Sequence, residues 1–157
     1  MLDALGPESL GTSVVLEGSE FSCGQHRSDP EIQRCTSASR TLWTLAATSA
    51  SSVEALIKDG HLMQVTVYFS ESRFAQVLLT LSTRFGEGVD WTVTIRSGMA
   101  GQLPDQIRIW ETDRFAVVAQ QYDRKIDRSS VIYGSAAAMA SLLRMIRSTP
   151  RGALRDL

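Results

Sequence analysis

The stretch His61–Gly86, HLMQVTVYFSESRFAQVLLTLSTRFG, changes its hydrophobic period from two to about 3.6 within one short segment. Alternation places Met63, Val65, Val67 and Phe69 on one face of a predicted strand. Phe74, Val77, Leu78, Leu81 and Phe85 then form the apolar stripe of a predicted helix. Ser70 stands where an N-cap is wanted, and Gly86 stands just beyond the C-cap. The stripe must lie on a sheet, because each large apolar side chain left in water would forfeit roughly 1.5 to 3 kcal/mol of burial.

Upstream, Asp59-Gly60 separates the alternating run Ser52–Ile57 from the His61 strand, and that dipeptide suits a tight hairpin; the two runs are expected to be antiparallel neighbours. Downstream, Trp91, Val93 and Ile95 share one period-two face, a turn-rich loop GMAGQLPDQ follows, and Ile107 and Ile109 return to the same layer. Arg114–Tyr122 gives a further strand with Phe115, Val117 and Ala119 on one face, where Val118 complicates a one-sided sheet. After the charged connection Asp123-Arg124-Lys125 comes IDRSSVIYG, then a second helix, SAAAMASLLRMIR, with Met139, Leu142, Leu143 and Ile146 as its stripe. Pro150 ends that helix.

The expected architecture is α+β, a predominantly antiparallel sheet covered by two main helices. Residues 1–19 form a short or partly flexible N-terminal segment, 20–148 a single domain and 149–157 a flexible tail. Short strands are expected at Thr12–Leu16, Glu20–Cys23 and Arg40–Ala47, with a turn over Thr48–Ser52. A chain of 157 residues buries roughly two-thirds of its unfolded surface without help from a metal. No apolar run approaches the ~20 residues of a membrane-spanning helix, so no integral membrane segment is expected. The formal charge of -1 supplies no general attraction for nucleic acid. Arg96, Arg108, Arg114, Arg124, Lys125 and Arg128 near Trp91 and Tyr122 give that reading only a local opening.

Cys23 and Cys35 bracket a polar loop, GQHRSDPEIQR, with a turn of helix possible from Pro30. In an oxidising compartment the pair would close a disulfide, and in a reducing one it would remain two thiols. Cys23, His26 and Cys35 also offer three zinc donors, without a fourth ligand. Nucleophilic catalysis lacks its parts, since neither His26 nor His61 accompanies a nucleophile motif. Asp59, Glu71, Asp105, Glu111 and Asp113 read as caps and turns unless the fold assembles them into an acid and base. No cofactor is expected.

The order DGHLMQVTVYFSESRFAQVLLTLSTRFG, WTVTIRSG, QIRIW, RFAVVAQQY and IDRSSVIYGS resembles small uncharacterised exported proteins of proteobacteria. The resemblance implies a small α+β fold, an envelope location and a disulfide between the cysteines ahead of the hairpin. It brings no catalytic residues. Met1 is followed by neither a basic n-region nor an apolar h-region, so the expectation is periplasm or cell envelope if a leader was removed, and cytoplasm if Met1 is the native start.

The functional expectation is a noncatalytic protein-binding or structural module, with an unidentified protein partner or self-association. The alternative is a small hydrolase using acidic residues. The candidate binding residues are Met139, Arg144, Met145 and Arg147 on the last helix.

Overall fold

The computed structural model describes residues 5–16, 20–38, 44–45, 47–98 and 101–156. Its strands, in chain order, are β1 (Ser22–Gln25), β2 (Ile32–Ser37), β3 (Thr44–Leu45), β4 (Thr48–Ser49), β5 (Ser52–Lys58) and β6 (His61–Ser70). Helix α1 (Phe74–Phe85) follows, then β7 (Val89–Asp90), β8 (Val93–Ser97), β9 (Gly101–Asp105), β10 (Ile107–Glu111), β11 (Phe115–Gln120) and β12 (Arg128–Ser135). Helix α2 (Ala136–Ser148) and β13 (Leu154–Asp156) complete the chain. This is the expected α+β class. The main sheet has eight strands in the order β1-β2-β5-β6-β12-β11-β10-β7, all neighbours antiparallel. A three-stranded sheet, β13-β8-β9, adds the parallel pair β13–β8.

Alternation along β11 fixes where the helices go. Val117 and Ala119 belong to one core with Phe74, Val77 and Leu81 of α1, whereas Ala116 and Val118 belong to another with Met139, Leu143 and Ile146 of α2. Successive strand residues point to opposite faces, so the helices lie on opposite sides of the sheet. That is why Val118 spoiled the one-sided pattern: the strand is buried on both faces. The second core also takes in Val93 and Ile95 of β8 with Ile107 and Ile109 of β10, so the smaller sheet and α2 together cover that side of β10 and β11.

The hairpin from β5 to β6 turns on Asp59 and Gly60, both at positive φ, 52° and 75°. Within β6, Val65, Val67 and Phe69 are buried as their spacing predicts, but Met63 is only half-buried and Leu62 takes its place in the core. The register slips between Leu56 and Ile57, so that Ala55 faces Val65 while Ile57 faces Leu62. A β-bulge shifts the inward set by one residue, which strict alternation cannot foresee.

Other expectations also differ from the structure. A 3-10 turn, Glu71–Arg73, precedes α1, and the Ser70 hydroxyl meets Ser72 Oγ at 3.0 Å instead of capping a helix amide. The presumed loop after β8 contains strand β9, paired from Val93↔Asp105 to Ser97↔Gly101, with Pro104 tolerated on the edge of the small sheet. The tail also holds a strand: Leu154–Asp156 pairs with Thr94–Arg96 of β8. Of the strand expected over 40–47, only Thr44–Leu45 is seen as β3; residues 40–43 and 46 lie outside the described residues. The expected turn at Thr48–Ser52 begins instead with β4.

Helix α2 approaches the sheet over Gly134, where an added Cβ would come within 3.0 Å of the Met63 carbonyl oxygen and 3.1 Å of Met139 Cγ. Gly134→Val is therefore expected to cost about 1 to 3 kcal/mol by overpacking. Urea denaturation measures it, and an unchanged midpoint would mean that helix and strand are not in close contact there.

Candidate functional site

The outer face of α2 is assembled by the same pattern that buries its inner face. Ser135 Oγ accepts the Ala138 amide at 3.2 Å and caps the helix, and alanines fill its first turn. Met139, Leu143 and Ile146 point into the second core, while Leu142 packs half-buried at its margin. At about 100° per residue, Arg144 and Met145 are carried away from that buried stripe. Met145 is 65% exposed. The helix carries two charged residues, Arg144 and Arg147, and both are positive.

Arg144 and Arg147 line an open groove of about 520 Å³ along with Ala136, Ala140, Leu143, Ser148 and Glu111. Arg147 donates to Glu111 of β10, tying the helix to the sheet. Arg144 donates to Ser141 Oγ at 3.2 Å, a neutral partner, and among the described residues no carboxylate lies at ion-pair distance from it. Met145 is not among the groove's lining residues, since helical rotation puts it on the far side of Arg144.

The four candidate binding residues therefore separate. Arg144 and Arg147 share the groove and Met145 stands exposed beside it, whereas Met139 is wholly buried and cannot touch a partner. Its place in the apolar stripe wins over its nearness in sequence to the arginines, because the thioether fills the space above Gly134.

Cys23 and Cys35 form a disulfide. They face each other across the β1–β2 ladder, so the presumed polar loop is a hairpin whose turn alone spans 26–31. Bonding both sulfurs removes the thiolate donors of the zinc reading. Among the described residues no group of three or more His, Cys, Asp or Glu is placed to hold a metal ion. With 12 residues of sequence separation, chain entropy gives the bridge about 3 kcal/mol. The double variant Cys23→Ala/Cys35→Ala should lose about that much in a denaturation curve, and loss below about 0.5 kcal/mol would refute a stapling role.

Three of the carboxylates singled out as a possible acid and base, Asp105, Glu71 and Glu111, take separate partners. Asp105 is fully buried on β9, where it accepts from the Tyr122 amide at 2.9 Å, Gln120 Nε2 at 3.0 Å and Arg155 Nη2 at 2.6 Å. Burial raises its carboxyl above the ordinary carboxylate range, although these donors work in the other direction. Glu71 accepts from Gln121 Nε2 at 2.9 Å, Glu111 pairs with Arg147, and Asp59 forms the hairpin turn. Glu71 and Asp105 both help to raise the Tyr122 phenol, after its burial. Asp105 has no exposure to solvent, so its three donors make it a structural anchor for β13.

Arg155 was missed as a partner for Asp105 because both lie in stretches with too little alternation to signal strands. Of the arginines considered for nucleic acid, Arg108 donates to the Glu87 carbonyl at 2.7 Å and Arg128 stacks on Tyr68 at 4.6 Å from the ring centroid. No helix among the described residues is long and apolar enough to cross a membrane. Comparison with protein-family models, with curated proteins and with solved structures finds no match to this chain.

Proposed function

We propose that this chain is a noncatalytic module of the bacterial cell envelope that binds a partner protein through the outer face of α2. The observation that carries the reading is the groove lined by Arg144 and by Arg147 with its partner Glu111, on a helix without an acidic residue, beside the exposed Met145. Guanidinium groups recognise carboxylates by charge-assisted hydrogen bonds, and an adaptable thioether adds apolar contact. The partner is accordingly an acidic segment with an apolar side chain. Face-to-face packing of two copies of α2 would oppose arginine with arginine, which disfavours self-association through this surface. The envelope location rests on the sequence resemblance and agrees with the disulfide, which persists in an oxidising compartment.

The test is affinity recovery from the native compartment with the wild-type chain and with Arg144→Glu/Arg147→Glu. A saturable protein partner held by the wild type and at least tenfold more weakly by the variant supports the reading. Failure to recover any saturable partner, or equal recovery by both proteins, counts against it.

A further inference from the structure

At the end of the sheet away from the β5–β6 hairpin turn, a second groove of about 510 Å³ opens between the 49–51 connection, the end of β6 and the turn before β12. Its apolar lining comes from the buried Ala50 and Phe69. Around it stand Ser49, Ser51 and Ser70, the last with its hydroxyl meeting Ser72 Oγ at 3.0 Å, and the cations Lys125 and Arg128, against one acid, Asp127. Arg128 is already held, stacked on Tyr68 with its Nε donating to the Asp123 carbonyl at 3.2 Å. Among the described residues Lys125 has no carboxylate at ion-pair distance. Beside it Arg124 holds φ 61°, and Ala47, close to Ser49, holds φ 59°. These are left-handed conformations that residues with a Cβ adopt rarely, and neither belongs to the Asp59-Gly60 hairpin turn.

We propose that this groove is a binding site for a phosphoryl group, with Lys125 as its charge partner and Ser49, Ser51 and Ser70 as hydroxyl donors. A tetrahedral oxyanion presents several acceptors at once, which suits several small donors and a mobile ammonium better than a single fork would. The site is separate from α2, so it stands or falls independently of the partner-binding surface.

The experiment is titration of the full 15N-labelled chain with inorganic phosphate at constant ionic strength, followed by amide chemical shifts. The expected result is saturable shifts concentrated at Ser49, Ser51, Ser70 and Lys125. Lys125→Ala should weaken them at least tenfold without disturbing the remaining spectrum, and Lys125→Arg should restore binding only in part. Glycerol 3-phosphate distinguishes the sources: tighter binding than phosphate assigns an organic phosphate, and equal or weaker binding assigns the free anion, either one upholding a phosphoryl site. Shifts that do not saturate, that chloride reproduces, or that persist unchanged in Lys125→Ala would overturn it.

Discussion

Deleting residues 153–157 is expected to lower the stability of the fold by about 3 to 5 kcal/mol, the lost ion pair of Asp105 and the lost β13 ladder taken together. The deletion takes away the β13 ladder on β8 and the guanidinium that meets Asp105, whose side chain is completely buried. The periodicity of the tail alone implied the opposite, a small effect. Arg155→Ala isolates the charge, and because Arg155 is itself 37% exposed its cost should be smaller, about 1 to 3 kcal/mol. The loss has a defined pH dependence. Burial holds the Asp105 carboxyl above its unfolded value, so its contribution to stability is fully present below the unfolded pKa and is lost as pH rises through the folded one. Removing Arg155 raises the folded value further and extends that loss to higher pH. Urea curves should therefore separate Arg155→Ala from wild type more at pH 7 than near pH 4. A pH-independent difference, or a deletion costing less than about 1 kcal/mol, would mean that β13 is no part of the folded core.

Met139→Ala is expected to cost about 2 to 5 kcal/mol through lost transfer energy and the cavity left above Gly134. Leu143→Ala belongs in the same range, since Leu143 is buried in the same cluster, whereas the half-buried Leu142 should cost less. Met145→Ala changes an exposed side chain and should stay within about 0.5 kcal/mol. The four variants measured by chemical denaturation divide the helix into an inner face that holds the fold and an outer face free for another role. Equal losses at Met139 and Met145 would contradict that division.

Much of this was legible where periodicity is sustained. The change of period within His61–Gly86 located β6 and α1, Asp59-Gly60 located the hairpin between β5 and β6, and the stripe from Met139 to Ile146 located the inner face of α2. Legibility failed where structure depends on partners distant in sequence. Strand β9 is five residues long and contains a glycine and a proline, and β13 has three residues, so neither shows a period until β8 is placed beside it. The bulge in β6 likewise depends on its register with β5. At the candidate site, the arginines were found by their charge on an apolar helix, but Met139 and Met145 are distinguished only by rotation about the helix axis, one toward Gly134 and one toward solvent.

Site-specific photo-crosslinking in the native compartment tests the central claim, that the outer face of α2 receives a partner protein. A benzophenone side chain at position 145 is compared with one at position 79, because Leu79 on α1 is 69% exposed and Met145 is 65% exposed. The prediction is one discrete protein adduct from position 145, displaced by excess unlabelled chain and lost in the Arg144→Glu/Arg147→Glu background, with none from position 79. No adduct at 145, or the same adducts from both positions regardless of the arginines, would contradict it.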